Sequence, residues 1–257
     1  MSDYLKDLFS LHGRIALVTG GSSGIGGAIA RALARAGARV VLLARDEAAL
    51  AAAASAIEAA GGTAAWVSAD LAGRPALDRG AREAAGHFGE PDILVNAAGV
   101  NLRPPMGALT TADWDHTMAV NLAAPFLLGQ RFGPAMAARG WGRIINVASQ
   151  QAVRAFGNSG AYGASKGGLV SLTRSQSEAW AASGVRVNAI SPGFVITPLT
   201  REAASDPRRS AALAGRTMIG RNGEAGDFEG IAVFLASRAS DYVTGQLIFV
   251  DGGFSAT

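Results

Sequence analysis

Three polar side chains in the second half of the chain have the types and spacing needed for proton transfer. Tyr162 and Lys166 stand four residues apart, and Ser149 precedes them. In a helix, residues at i and i+4 share a face, so the ammonium group would lie beside the phenol. A phenol has an ordinary pKa of about 10, and an adjacent positive charge stabilises the phenolate. We therefore expect Lys166 to lower the pKa of Tyr162, which would then donate and accept a proton while Ser149 holds a substrate oxygen.

A glycine-rich turn near the start of the chain has the composition of a phosphate-binding loop. A predicted strand runs into Thr19-Gly20-Gly21-Ser22-Ser23-Gly24-Ile25-Gly26, and a predicted helix follows. Glycine lets the backbone approach a pyrophosphate, whose charge is favoured at a helix amino terminus. The spacing G-x-x-x-G-x-G differs from the common G-x-G-x-x-G. Its place at the first strand-to-helix turn predicts a dinucleotide site built from Gly20, Ser22, Ser23, Gly24, Ile25 and Gly26.

The end of the second predicted strand bears on which dinucleotide would bind. An acidic residue there would accept hydrogen bonds from the free 2′-hydroxyl of NAD, but Ala44 and Arg45 stand at this point. A guanidinium suits a 2′-phosphate, so we expect NADP(H) to be preferred, with NAD(H) as the alternative cofactor. In the alternative interpretation, Arg45 is a solvated turn residue and Asp46 caps the next helix.

Two further strand ends carry residues suited to a cofactor. Asp70-Leu71 follows the third predicted strand, and Asn96-Ala97-Ala98-Gly99 follows the fourth. Asp70 could accept a hydrogen bond from the adenine amine, and the small residues would let the chain lie against the cofactor. Each stretch taken alone could equally be an ordinary turn.

The elements that would position these residues alternate between β-branched runs and alanine-rich segments of helical period. This pattern is typical of βαβ units and predicts one doubly wound, Rossmann-type α/β domain with a seven-stranded parallel sheet and helices on both faces. The predicted strands span residues 14–19, 39–43, 64–68, 93–96, 143–147, 186–190 and 247–250. The predicted helices span residues 25–36, 47–60, 76–88, 113–138, 162–182 and 226–236. We call residues 193–223, which interrupt this alternation with prolines and five arginines, the insertion segment and expect it to form a substrate lid.

Composition excludes several other classes of protein. The chain has no cysteine, and its three histidines are isolated, so no metal site is expected. A net charge of +3 with dispersed arginines gives little support to nucleic-acid binding. No apolar run is long enough to span a membrane and the first residues do not resemble a signal peptide, so we expect a cytoplasmic protein.

In combination and in order, these motifs resemble the short-chain dehydrogenase/reductase family over residues 11–253. Beyond the stretches already named, the resemblance includes Asn121, Pro192-Gly193 and the terminal Val250-Asp251-Gly252-Gly253. It implies an NAD(P)-dependent oxidoreductase that transfers a hydride between nicotinamide and a secondary alcohol or ketone. Several segments look similar to gluconate 5-dehydrogenase-like members and to other members that act on sugar acids or polyols.

The resemblance also implies a role for individual residues. Tyr162 would be the catalytic acid and base, Ser149 would polarise the carbonyl, Lys166 would bind the nicotinamide ribose, and Asn121 would position a water in a proton relay. The cofactor site would be completed by Pro192, Gly193, Val195 and Thr197, the last holding the carboxamide. Two departures are Ala97, where members often have a second asparagine, and Ser23, where NADP-preferring members often have a basic residue.

The substrate and the assembly are predicted in less detail. We expect the substrate to contact Ser149, Gln151, Arg154, Phe156, Phe194 and Arg201, with an anionic group bound by arginines of the insertion segment. The alternatives are a 3-oxoacyl carrier-protein reductase and, from another class, a catalytically idle binding or regulatory subunit. The resemblance further implies a homotetramer formed through helices 113–138 and 162–182 and the last strand.

Overall fold

A computed structural model of the chain describes residues 3–256 and contains one parallel sheet of seven strands. The strand order is β3-β2-β1-β4-β5-β6-β7. The strands are β1 Ile15–Thr19, β2 Arg39–Ala44, β3 Thr63–Ser68, β4 Ile93–Asn96, β5 Gly142–Val147, β6 Val185–Pro192 and β7 Leu247–Val250. All seven predicted strands are confirmed, and so is the predicted fold class. The main difference is β6, which continues to Pro192 and pairs there with Val250.

Helices cover both faces of the sheet. They are α1 Asp3–Phe9, α2 Gly24–Arg35, α3 Glu47–Ala59, α4 Arg74–Phe88, α5 Thr111–Met118, α6 Ala124–Ala138, α7 Gly160–Trp180, α8 Arg201–Ala204, α9 Pro207–Ala214 and α10 Glu229–Ala236. Two large apolar clusters fill the space between sheet and helices, one on each face. Strands buried on both faces cannot alternate apolar with polar residues, which explains their continuous apolar sequences.

The predicted helix over residues 113–138 is divided in the structure. α5 and α6 are joined by a wider, π-helical turn at Ala119–Ala123, and the whole begins at Thr111 behind a capping box between Thr110 and Asp113. Such turns are rare in proteins, and many of those that occur lie at functional sites. Asn121 lies within this turn and is completely buried.

The strand order reverses between β1 and β4, which pair directly although they are not consecutive. The connections that leave these two strands turn to opposite faces of the sheet and open a crevice at its carboxyl edge, where ligands bind in this class of fold. The turns after β1 and β4 both lie at this edge. The insertion segment follows β6 at the same edge and contains α8 and α9. In the part of the chain from residue 3 to residue 256, no helix is long and apolar enough to cross a membrane.

Candidate active site

The end of β5 and the first turns of α7 bring together the three side chains predicted to transfer a proton. Tyr162, Lys166 and Ser149 are each less than a tenth exposed. Lys166 Nζ donates a hydrogen bond to the Val147 carbonyl oxygen at 2.7 Å and lies 5.7 Å from the centre of the Tyr162 ring. Ser149 lies beside Tyr162 and acts to lower the pKa of its phenol. The three groups are therefore close enough to act on one substrate oxygen.

The backbone fixes how Ser149 presents its hydroxyl group. Ser149 follows the fully buried strand β5, and its Oγ accepts a hydrogen bond from the Gln151 backbone N–H at 3.1 Å. A serine hydroxyl has one hydrogen to donate and two lone pairs. Because Gln151 occupies a lone pair, Ser149 keeps its hydrogen for a partner that gains negative charge.

Burial, and not the neighbouring lysine, dominates the acidity of Tyr162. Burial raises the pKa of the Tyr162 phenol, while the hydrogen bond with Ser149 and the positive charge of Arg103 act in the opposite direction. The pKa of Tyr162 is therefore raised overall, whereas the spacing of Tyr162 and Lys166 predicted that it would be lowered. Spacing along a helix showed that the two side chains are neighbours, but it did not show the loss of water around the phenol. Burial also lowers the pKa of Lys166 to about 8.

Asn121 contacts two parts of the site through its side-chain amide. Its Oδ1 accepts from the Val100 backbone N–H at 2.9 Å, and its Nδ2 donates to the Val100 carbonyl at 2.9 Å and to Ser165 Oγ at 3.1 Å. Asn121 thereby fixes the loop after β4 against α7. A Cβ atom added at Gly99 would lie 3.4 Å from Asn121 Oδ1 and 3.7 Å from Lys166 Nζ, so the two side chains meet at this glycine. A role for Asn121 in positioning water stays a prediction.

The glycine-rich turn has the geometry required for close approach of a ligand. Gly20 has a φ angle of +65°, and a Cβ atom added there would lie 2.9 Å from the Ala98 backbone. A Cβ atom at Gly26 would lie 2.4 Å from the Gly20 carbonyl oxygen. Ser23 precedes α2, yet its side chain does not cap the helix. The first amides of α2 are therefore available to an anion.

The turn after β4 is held against β1 by a residue that the sequence did not indicate. Thr19 Oγ1 accepts hydrogen bonds from the backbone N–H groups of Ala97 and Ala98, both at 3.1 Å, and donates to Val95. The small residues thus form one wall of the crevice. Asn96 was predicted to be a cofactor ligand, but its side chain is buried and its Nδ2 donates to Asn146 Oδ1 at 2.8 Å.

Two cavities along the crevice contain the other residues predicted to bind a dinucleotide. A cavity of about 490 Å³ lies at the ends of β1, β2 and β3. Its lining includes Gly20, Ser22, Arg45, Asp70, Leu71, Ala98 and Gly99. The second lies at the ends of β4, β5 and β6 and reaches Ser149, Tyr162 and Lys166. Its lining includes Ser23, Gly24, Ile25, Gly26, Ala97, Tyr162, Lys166, Pro192, Gly193, Val195 and Thr197.

At the second strand end, the structure supports one part of the alternative interpretation. Asp46 Oδ1 accepts from the Ala49 N–H at 3.0 Å and so caps α3, as that interpretation holds. The Arg45 side chain is exposed at the rim of the first cavity, and its carbonyl oxygen accepts from Ser68 Oγ at 3.0 Å. Among the described residues it makes no ion pair. Arg45 is therefore available to a ligand, although Asp46 caps α3.

A third cavity, of about 640 Å³, opens on the other side of Tyr162, and we call it the substrate cavity. It shares Ser149, Tyr162, Gly193, Leu199 and Thr200 with the second cavity. Of the predicted substrate residues, it contains Ser149, Gln151, Phe156 and Phe194, together with Gln150 and Asn158. The lining includes no Asp or Glu among the residues that the structure describes.

Two predicted substrate residues are placed elsewhere. Arg154 Nη2 donates to the Ser255 carbonyl oxygen at 2.6 Å, and Arg201 is exposed at the start of α8. Neither lines the substrate cavity, which instead contains Arg103 and Arg209. Arg154 and Arg201 are near Ser149 and Thr197 in sequence, but this does not bring them to the cavity, because loops decide which side chains reach it. Arg209 is one of the five arginines of the insertion segment, and Arg103 lies in residues 101–106, one of the segments that look similar to gluconate 5-dehydrogenase-like members.

Comparison with known proteins agrees with this geometry. A family model described as enoyl-(acyl carrier protein) reductase matches residues 20–255. Gluconate 5-dehydrogenase from Gluconobacter oxydans is 39% identical over 251 residues, which are 98% of each chain. Galactitol 2-dehydrogenase (L-tagatose-forming) from Cereibacter sphaeroides is 40% identical over 98% of this chain and 99% of that one. The crystal structure of a gluconate 5-dehydrogenase from Burkholderia cenocepacia, in complex with NADP and tartrate, superposes with a TM-score of 0.93 at 39% identity, covering 98% of this chain and 99% of that chain. The chain belongs to the short-chain dehydrogenase/reductase family of NAD(P)-dependent oxidoreductases.

Proposed function

We propose that this protein interconverts a secondary alcohol and a ketone within the class of sugar acids and polyols, with NADP(H) as its preferred cofactor. The observation that carries this proposal is the position of Tyr162 and Ser149, which line both the second cavity and the substrate cavity. A substrate carbon at this junction would have the two hydroxyl groups on one side and the cofactor cavity on the other.

The chain's own groups provide the proton chemistry. In the oxidation direction, Tyr162 accepts the proton of the substrate hydroxyl as a hydride leaves the same carbon, and a bound nicotinamide dinucleotide supplies the hydride acceptor. Ser149 donates its hydrogen to the substrate oxygen while negative charge is present there. When Lys166 is protonated, its positive charge lies 5.7 Å from the centre of the Tyr162 ring and stabilises the phenolate. Reduction uses the same contacts in reverse.

Residues along the crevice fit a dinucleotide. The uncapped first turn of α2 would receive the pyrophosphate next to Gly20 and Gly26, where any side chain would collide with the backbone. Arg45 at the rim of the first cavity would bind the 2′-phosphate with charge-assisted hydrogen bonds. Asp70 retains accepting capacity for the adenine amine beyond the Ala72 N–H that it accepts at 3.0 Å. NAD(H) would lack the phosphate contact and bind less tightly.

The lining of the substrate cavity favours a hydroxylated substrate. Side-chain amides of Asn101, Gln150, Gln151 and Asn158 surround it, and amides can both donate to and accept from hydroxyl groups. Arg103 is placed beside Tyr162 and contributes positive charge. These features agree with the names of the relatives, which act on gluconate and galactitol. A 3-oxoacyl carrier-protein reductase is the second candidate, favoured by the apolar lining residues Phe156, Phe194 and Leu213.

Three further features belong to this proposal. The insertion segment, 193–223, acts as a lid, since its residues Phe194, Leu199 and Arg209 line the substrate cavity. The protein assembles as a homotetramer in which α6, α7 and β7 form contacts, because Phe126 on α6 and Phe249 on the edge strand β7 are 43% and 39% exposed. It works in the cytoplasm, where a diffusible dinucleotide is regenerated.

A cofactor-linked assay tests the proposal. The purified protein is offered D-gluconate, galactitol and related alcohols with NADP⁺ or NAD⁺, and acetoacetyl thioester with NADPH or NADH, while absorbance of the reduced nicotinamide is followed. We expect turnover of polyhydroxylated compounds with a preference for NADP⁺. Turnover confined to the thioester would favour the second candidate, and inactivity with every alcohol and ketone would contradict both. Light scattering tests the tetramer, which a mass equal to the 26.0 kDa chain would contradict.

A further inference from the structure

The helix α9 places a positively charged residue in the lining of the substrate cavity. Arg209 and Leu213, one helical turn apart, both line the cavity, whereas the adjacent Arg208 does not. α9 begins with Pro207 behind Asp206, whose Oδ1 accepts from the backbone N–H groups of Arg208 at 2.9 Å and Arg209 at 3.3 Å. The helix start therefore sets which of the two arginines faces the cavity.

Contacts made by Ser210 hold α9 in place without using the Arg209 guanidinium. Asn222 Nδ2 donates to the Ser210 carbonyl at 3.0 Å and to Ser210 Oγ at 2.8 Å. The end of the insertion segment is fixed in turn by Arg221, whose two terminal nitrogens each lie 2.7 Å from an oxygen of Asp227. Removing the Arg209 side chain should therefore leave the helix in position.

A second arginine, Arg103 in the loop between β4 and α5, lines the same cavity. Arg103 Nη2 donates to the Gly157 carbonyl at 2.6 Å, which fixes its position at the cavity wall. Burial lowers the pKa of Arg103, and the positive charge of Arg209 lowers it further, so the two cations are near enough to repel each other. Neither forms an ion pair with any described carboxylate. An arrangement of this kind is costly for the free protein and becomes favourable when an anion lies between the two groups.

We propose that Arg209 is a specificity-determining residue that binds the carboxylate of a hydroxy-acid substrate from the insertion segment, opposite Arg103. The inference rests on the proposed function, because it concerns the same cavity and substrate class. It assigns the anion recognition expected of the insertion segment to Arg209 in place of Arg201. A carboxylate bound there would also connect α9 to the wall beside Tyr162 and so favour closure of the segment over the substrate.

The test compares Arg209→Ala with the matched control Arg208→Ala. Both variants remove one positive charge from α9, but only the first removes a group that lines the cavity. Binding of D-gluconate and of galactitol to the NADP⁺-saturated protein is measured by calorimetry, and kcat/KM is measured for both compounds. Because a hydrogen bond to a charged group contributes more than a neutral one, we expect Arg209→Ala to weaken gluconate binding about 10- to 100-fold and to change galactitol binding little. Arg209→Lys should recover part of the loss, and Arg208→Ala should match the wild type.

The outcomes separate this inference from the proposed function. If Arg209→Ala changes gluconate and galactitol equally, or if the wild type does not bind gluconate, Arg209 does not determine specificity for a carboxylate. If gluconate binds in an Arg209-dependent manner but no alcohol is oxidised, the inference stands and the proposed function fails. Thermal melting of each variant shows whether α9 and its surroundings remain folded, and a melting temperature like that of the wild type is expected.

Discussion

Lys166 Nζ lies 2.7 Å from the carbonyl oxygen of Val147, so the last residue of β5 accepts a hydrogen bond from the buried ammonium group of α7. One neutral carbonyl does not replace the water that a cation loses on burial, and the pKa of Lys166 falls to about 8. The same burial that places the lysine beside Tyr162 therefore makes it costly to keep the lysine charged. This cost is measurable as a pH-dependent stability.

Lys166→Met should abolish part of the pH dependence of folding. Since the folded-state pKa of about 8 lies below the ordinary value of 10.5, the folded state binds fewer protons than the unfolded state between these pH values. The free energy of unfolding of the wild type should therefore rise by roughly 2 kcal/mol from pH 7.5 to pH 10 because of this group. The methionine variant should lack this rise.

The measurement is urea unfolding at several pH values, with the wild type compared with the variant. Burial raises the pKa of Tyr162, and this acts against stability only above the ordinary value of 10.0 for tyrosine, so the range ends at pH 10. Parallel curves for the two proteins would show that Lys166 is not charged at a cost in the folded state.

Tyr162→Phe should leave the fold and cofactor binding intact while removing the proposed proton acceptor. Tyr162 is 8% exposed, and phenylalanine keeps its ring, so the packing is conserved. Because general acid–base catalysis contributes about 10²- to 10⁴-fold, we expect a loss of this size in kcat. Turnover near the wild-type value would remove Tyr162 from the mechanism. Fluorescence titration with NADPH provides the control for cofactor binding.

Arg103→Met should move the pH profile of oxidation to higher pH. The positive charge of Arg103 lowers the pKa of Tyr162, and oxidation requires the deprotonated phenol to accept a proton. Without this charge, the rise of kcat/KM with pH should have a more alkaline midpoint, whereas Arg103→Lys should stay near the wild type. A neutral polyol is the substrate of choice because it separates this effect from binding of a carboxylate. An unchanged midpoint in Arg103→Met would show that the charge does not act on Tyr162.

The fold, and which residues come together along the crevice, follow from the sequence because they depend on local signals. Continuous apolar runs identify strands buried on both faces, and in a parallel sheet the residues after each strand must meet at one edge. Arg103 and Arg209 were not recognised as a pair, because they come from segments about one hundred residues apart whose approach depends on tertiary packing. The π-helical turn at Ala119–Ala123 and the raised pKa of Tyr162 were missed for a similar reason. Neither the helical period nor residue spacing contains information on packing or on lost solvation.

Arg45→Asp should reverse the cofactor preference. The Arg45 side chain is exposed at the rim of the first cavity, where a guanidinium can bind a 2′-phosphate and a carboxylate can instead accept from a free 2′-hydroxyl. We expect the wild type to bind NADPH more tightly than NADH and the variant to bind NADH more tightly. Arg74 and Arg79 on α4 provide matched controls, because neither lines this cavity. Equal or tighter binding of NADH by the wild type would show that Arg45 is a solvated turn residue.

Gly26 and Gly27 of α2 allow the close packing between this helix and the glycine-rich turn to be tested by adding one methyl group. A Cβ atom at Gly26 would lie 2.4 Å from the Gly20 carbonyl oxygen, which belongs to the backbone and cannot rotate away as a flexible side chain can, whereas the nearest atom to a Cβ at Gly27 is 3.4 Å away. Gly26→Ala must therefore displace the turn that we propose receives the pyrophosphate, and we expect it to weaken NADPH binding at least 10-fold or to lower the melting temperature. Gly27→Ala should bind NADPH like the wild type, and its helix should gain up to about 1 kcal/mol in stability because alanine is the better helix former.

The measurements are fluorescence titration with NADPH and thermal melting of both variants. If Gly26→Ala and Gly27→Ala behave alike in both measurements, the contact between Gly26 and Gly20 does not shape the cofactor site.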